Sequence, residues 1–149
     1  KIIMEHVSTK ELVGLVDQYE NLYATVTLHH LLVIHNHILE WWTKSHIMCM
    51  PTPKLWDDRK VLLSAVLSWN PKIMFGSDSA PHPKLKKESA IWCCWAFTAP
   101  SALQAVVEIF DSCRQLERTW FIVPESYGEW ENKVVPFLDW KKLEWNIVA

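Results

Sequence analysis

Lys1-Ile2-Ile3-Met4-Glu5-His6-Val7-Ser8-Thr9-Lys10-Glu11 reads as a strand that feeds directly into a helix. Residues 1–7 form an apolar, β-branched run ending in Glu5-His6-Val7. Ser8-Thr9-Lys10-Glu11 then matches the S-x-x-E capping pattern, which satisfies free backbone donors at a helix start. The helix is expected to reach about Glu20, with Leu12, Val13, Val16 and Tyr19 on its buried side. Tyr23-Ala24-Thr25-Val26-Thr27 predicts a second strand, and a long polar, His-rich stretch follows it through Pro51 and Pro53. Asp57 to Trp69 predicts a helix with Val61, Leu62, Ala65 and Val66 inward, and Lys72-Ile73-Met74-Phe75-Gly76 a third strand. Pro100, suited to a helix first turn, opens a helix over Ser101 to Cys113. The remainder, with Pro124, Gly128 and Pro136, is expected to be one short helix and an irregular tail.

Strand and helix alternate three times, the pattern of a parallel sheet wrapped by helices, so the fold class is α/β. Strands in such sheets are buried on both faces and read as apolar runs, as these three do. Polar residues collect just past their ends: Glu5-His6, Thr27 and Ser77-Asp78. The carboxyl ends of parallel strands are where chemistry sits in these architectures. Three strands alone would leave unpaired edges and an exposed apolar face.

The chain has 149 residues, half of them apolar, with 21% charged and a net charge of −2. That suits a single globular unit and gives no basic footprint for nucleic acid. No apolar run reaches the ~18 residues of a membrane helix. The start lacks the apolar core and cleavage site of a secretory signal, so a cytoplasmic location is expected and a membrane partner is not. Cys49, Cys93, Cys94 and Cys113 contain no C-x-x-C spacing, which predicts free thiols. Two counts are odd: Gly occurs 3 times and Trp 10 times, against about ten glycines at ~7% usage.

Several residues could carry chemistry. His6, at a strand's carboxyl end, could bind a metal as neutral imidazole or serve as a structural residue. In Phe75-Gly76-Ser77-Asp78-Ser79-Ala80-Pro81-His82, Gly76 permits close backbone approach. Asp78 could be a metal ligand or general base, and His82 an anchor for an anionic group; alternatively Asp78 caps a turn and His82 is exposed. His35-Asn36-His37 copies a metal-hydrolase H-x-H pair but falls in the long connection, where no ligand role is expected. His29 and His30 would point apart on an extended backbone, so a joint chelate is not expected. Lys84-Leu85-Lys86-Lys87-Glu88 reads as a solvated loop.

Four stretches occur in an order that resembles the dihydroorotase family, in its single-function bacterial, plant and fungal type within the amidohydrolase superfamily. They are Lys1 to Lys10, Ala24-Thr25-Val26-Thr27-Leu28-His29-His30-Leu31-Leu32, Phe75 to His82, and Ala99-Pro100-Ser101-Ala102-Leu103. Val135-Pro136-Phe137-Leu138 with Leu143-Glu144-Trp145 is similar to that family's C-terminus. The resemblance implies a partial (β/α)8 TIM barrel over residues 1–149, about its last three βα units plus a C-terminal extension, with the N-terminal half absent. A complete barrel takes ~250 residues. It implies a zinc enzyme of pyrimidine biosynthesis that interconverts N-carbamoyl-L-aspartate and dihydroorotate, with two zinc ions activating a bridging water and polarising the ring carbonyl.

By that resemblance His6 matches a metal ligand, Asp78 a metal ligand and proton shuttle, and His82 a residue holding the substrate carboxylate. Met50 and Cys94 match positions whose backbone contacts the pyrimidine ring. The family's remaining metal ligands and its substrate Arg and Asn lie in the N-terminal half, so this piece alone is expected to be inactive. Trp41-Trp42, Trp92 and Trp95 fall on usual Gly positions, and Trp69 where Gly is common. The small-molecule substrate and the missing half-barrel are the expected partners, and a homodimer is compatible. A non-catalytic structural or assembly partner of the same ancestry, and another cyclic-amide hydrolase of the superfamily, are the alternative expectations.

Overall fold

The computed structural model describes residues 1–68, 70–90 and 93–115. Its elements are β1 (Ile2–Met4), α1 (Lys10–Gln18), β2 (Leu22–Val26), α2 (Leu28–Leu32), α3 (His35–Leu39), a 3-10 turn at Ser45–Ile47, α4 (Trp56–Leu67), β3 (Ile73–Phe75), α5 (Lys84–Lys87) and α6 (Ala99–Ser112). The sheet is parallel throughout, in the order β1-β2-β3. Its register sets Met4 beside Ala24, and Ala24, Thr25 and Val26 beside Ile73, Met74 and Phe75. All three strands therefore deliver their following residues to one edge of the sheet.

The apolar spacing of α1 and α4 explains the core. Val13 and Val16 of α1 meet Leu62 and Ala65 of α4 in one cluster with Val7, Ala24, Val26, Leu31 and Ile73. Val61, Val66 and Leu12 pack around it, partly buried. A second cluster joins Leu28 to Ala102, Val106 and Phe110 on one face of α6. At the end of α1, the ammonium of Lys72 donates to the carbonyls of Val16 (3.0 Å) and Tyr19 (3.1 Å). A cation there matches the negative pole of the helix.

Several expectations are corrected. The cap of α1 is Thr9, whose hydroxyl accepts from Leu12 N at 3.3 Å; Ser8 is buried instead. Tyr19 lies past the last turn on extended backbone and is 56% exposed, so it does not join the core. β1 is not buried on both faces: Ile2 is 58% and Ile3 41% exposed, because β1 ends the sheet with no outer neighbour among the described residues. The stretch after β2 is not a plain loop, since Thr27 caps α2 by accepting from His30 N and α3 follows. The loop expected around Lys84–Glu88 is the short helix α5, and its Lys87 is buried. Trp69, Trp92 and the expected short helix and tail with Pro124, Gly128 and Pro136 lie outside the described residues, as do Val135-Pro136-Phe137-Leu138 and Leu143-Glu144-Trp145.

Gly76 is where the sheet is tightest. A Cβ added there would lie 2.9 Å from Thr25 Cβ, whereas one added at Gly14, inside α1, would meet nothing within 4 Å. Gly76→Ala is expected to cost about 1–3 kcal/mol through overpacking, and Gly14→Ala to add about 0.5–1 kcal/mol of helix stability. Urea unfolding of the two variants checks this; equal effects would contradict the close approach.

Candidate functional site

The carboxyl edge of the sheet is organised around Thr25 in the central strand. Its hydroxyl accepts from His6 N (2.9 Å) and donates to Glu5 Oε2 (2.8 Å), and its carbonyl accepts from Val7 N (2.9 Å). The end of β1 is thus held over β2. On the other side, Gly76 N donates to Val26 O (3.1 Å), which sets the end of β3. The result brings His6 Nε2 to 3.6 Å from Asp78 Oδ1. Asp78 Oδ2 is buried with no hydrogen-bond partner among the described residues.

His6 and Asp78 both sit at positive φ, 53° and 40°. Such backbone costs non-glycine residues on the order of 1–3 kcal/mol and gathers at functional sites. An imidazole nitrogen and a carboxylate that face each other without a close hydrogen bond, one oxygen unpartnered, form a donor set that fits part of a zinc coordination sphere. Two such ligands fall short of a full shell, because structural and catalytic zinc take at least three protein ligands.

Three loop segments meet beside this edge. Trp95 N donates to Met48 O (2.9 Å), and Ala80 N to Ala96 O (3.3 Å). Ser79 Oγ accepts from Thr98 N (3.0 Å) and Ala99 N (2.8 Å), tying the loop after β3 to the start of α6. Met50 is half-exposed and Cys94 partly buried, joined through the backbone of their neighbours. The His82 ring lies 6.1 Å from that of Trp95.

Sequence reasoning missed Lys87. It is 4% exposed, and its ammonium donates to the carbonyls of Cys93 (2.9 Å), Trp95 (2.8 Å) and Met48 (3.3 Å). Burial lowers its pKa, with the nearby cysteines opposing. A basic run gives no sign of which lysine turns inward. Of the tryptophans expected to fall on Gly positions, two adopt glycine-type backbone: Trp41 at φ 68° and Trp95 at φ 108°.

The expectation for His29 and His30 is corrected, because α2 makes their backbone helical rather than extended. Their ring centroids lie 4.7 Å apart, and with buried Cys49 they offer one ligand atom each, all within 4.8 Å of one another. His35 and His37 are exposed on α3, with His37 Nδ1 accepting from Ile34 N (3.3 Å). Burial lowers the pKa of both His29 and His30 to about 4; for His29, His30 and His6 add to the effect, and for His30, His6 and Lys54 add while the hydrogen bond to Pro51 opposes. The unfolded chain therefore binds more protons than the folded chain between about pH 4 and 6.5. Stability is present in full above pH 6.5 and is lost as pH falls toward 4, by about 1.4 kcal/mol per pH unit for each histidine. Urea unfolding at pH 7 and pH 5 measures the slope, which is expected to flatten in His29→Gln; an unfolding midpoint independent of pH would contradict it.

No family model matches the chain. Curated relatives do. It is 33% identical to the dihydroorotase of a Shewanella species (strain ANA-3) across 99% of this chain and 51% of the relative. It is 34% identical to that of Hahella chejuensis across 97% and 50%, and 40% identical to that of Shewanella baltica OS155 across 100% and 44%. The chain thus spans about half the length of the curated relatives it matches. Among solved structures it is similar to dihydroorotase from Campylobacter jejuni, with a TM-score of 0.76 and 38% identity over 83% of this chain and 35% of that one. Dihydroorotase from Saccharomyces cerevisiae in complex with 5-fluoroorotic acid gives 0.75 and 31% over 83% and 36%. In sequence and in structure, the chain belongs to the dihydroorotase family and corresponds to its C-terminal portion.

Proposed function

We propose that residues 1–149 are the C-terminal portion of a zinc-dependent dihydroorotase, a cytoplasmic cyclic amidohydrolase that interconverts N-carbamoyl-L-aspartate and dihydroorotate in pyrimidine biosynthesis. The observation that carries this reading is the 3.6 Å approach of His6 Nε2 and Asp78 Oδ1 from the ends of parallel strands. In this reading the three βα units are the last part of a (β/α)8 barrel. The apolar edge of β1, unpaired among the described residues and with Ile2 and Ile3 exposed, is a surface suited to the preceding strand of an N-terminal half.

His6 and Asp78 would hold zinc together with ligands from that other half. Zinc, when bound, acidifies a water and polarises the ring carbonyl. In the hydrolytic direction Asp78 accepts the proton of the attacking water and returns it to the departing amide nitrogen. His82 holds the substrate carboxylate and so fixes its orientation. The 5-fluoroorotic acid in the yeast complex is a ring carboxylate of that chemical kind. Backbone at Met50 and Cys94 contacts the ring, and Lys87 holds the two segments that carry them at a set distance.

The strained tryptophans favour a second reading. Trp95 at φ 108° beside His82 puts an indole where the substrate loop turns, which suits a non-catalytic assembly partner of the same ancestry.

Turnover of dihydroorotate separates the two readings. In the protein completed by its N-terminal half, zinc-dependent turnover is expected. Asp78→Asn should lower kcat about 10²–10⁴-fold, and His82→Ala should act mainly on KM. The 149-residue chain alone should turn over nothing. Undiminished activity in Asp78→Asn, or turnover by the 149-residue chain alone, would contradict the assignment.

A further inference from the structure

The His29–His30–Cys49 cluster is chemically unlike an ordinary buried polar group. His29 is 2% exposed, yet neither ring nitrogen has a hydrogen-bond partner among the described residues. A buried imidazole without partners forfeits about 1–3 kcal/mol per unsatisfied group. Nothing in the packing of α2 requires it, because the apolar face of that helix is supplied by Leu28 and Leu31.

The neighbouring bonds settle which atoms are available. His30 Nε2 lies 2.8 Å from Pro51 O, a carbonyl that can only accept, so Nε2 carries the proton. Nδ1 then holds the lone pair, which now receives the Thr27 hydroxyl at 2.7 Å. A ring N–H fixed on a backbone carbonyl, leaving the other nitrogen to ligate, is the usual arrangement around metal-bound histidine. Cys49 is fully buried, and its thiol donates to the same Pro51 carbonyl at 3.5 Å.

We propose that His29, His30 and Cys49 form a metal site of their own, beside the His6–Asp78 edge, for a divalent ion of the zinc class. Two imidazoles and a thiolate are the donors such ions prefer, whereas magnesium and calcium favour oxygen. With Zn–N of about 2.0–2.1 Å and Zn–S of about 2.3 Å, two nitrogens and one sulfur in tetrahedral positions stand about 3.3–3.6 Å apart. One donor atom from each residue lies within 4.8 Å of the others, so the widest pair closes by about 1.2–1.5 Å, with rotation of the His30 ring or the Cys49 thiol bringing Nδ1 and Sγ together. Binding turns the Thr27 hydroxyl away from Nδ1. It also releases the Cys49 proton to solvent, leaving Pro51 O to His30 alone. Both imidazoles are already neutral near pH 7, their pKa lowered to about 4 by burial, while the thiol, pushed up to about 12, yields its proton only to a metal.

The test uses the 149-residue chain with Cys93, Cys94 and Cys113 changed to Ser, so that Cys49 is the one thiol. Cobalt(II) is expected to produce a sulfur-to-cobalt charge-transfer band, displaced by zinc and not by magnesium. The band should vanish in Cys49→Ser and weaken at least tenfold in affinity in His29→Gln, yet persist in Asp78→Asn. X-ray absorption of the zinc-loaded chain provides a second readout free of variants at the cluster, expected to show one sulfur at about 2.3 Å. No charge-transfer band and no sulfur neighbour, a band unchanged by His29→Gln, or a band lost in Asp78→Asn would each overturn the proposal. Since this readout does not involve turnover, it stands apart from the success or failure of the dihydroorotase reading.

Discussion

A single threonine hydroxyl in the central strand sets the working edge of this sheet. Thr25 Oγ1 binds the backbone of His6 and the carboxylate of Glu5, while its side chain abuts Gly76 closely enough to exclude even a methyl group there. It therefore fixes two outer strands at once. A larger residue at position 76 would push β3 away, and a residue without a hydroxyl at position 25 would release β1. The strained backbone of His6 and Asp78 is tolerable because these constraints over-determine it.

Much of this arrangement is legible in the sequence for a simple reason: strands and long amphipathic helices depend on local pattern. Val13, Val16, Leu62 and Ala65 announce their inward faces by spacing, and His6 and Asp78 announce themselves as polar residues directly after apolar strands. What pattern does not carry is the course of the chain between Thr27 and Leu55. There, short helices depend on a cap, on two prolines (Pro51 and Pro53) and on tertiary contacts. The pairing of His29 with His30 follows from helical backbone that propensity alone does not signal, and the inward turn of Lys87 follows from three carbonyls gathered from two distant segments. The S-x-x-E spacing points to Ser8 as the cap; packing of Ser8 into the interior leaves Thr9 the task.

The edge is well built and also partial. One imidazole and one carboxylate meet there, fewer donors than the three protein ligands a zinc ion takes, and β1 leaves its outer side unpaired among the described residues. Both features fit a chain that spans about half the length of its curated relatives. The tryptophans at positive φ add strain in the loops around that edge, at positions where glycine would carry none. Beside that edge, buried His29, whose ring nitrogens have no hydrogen-bond partner among the described residues, forms with its two neighbours a donor set of a different, softer kind.

Anomalous diffraction at the zinc edge, from crystals of the protein completed by its N-terminal half and grown with zinc, would locate the ion directly. A peak is expected within about 2.0–2.2 Å of both His6 Nε2 and an Asp78 carboxylate oxygen. Density showing these two groups turned to opposite ends of the sheet, with no ion between them, would contradict it.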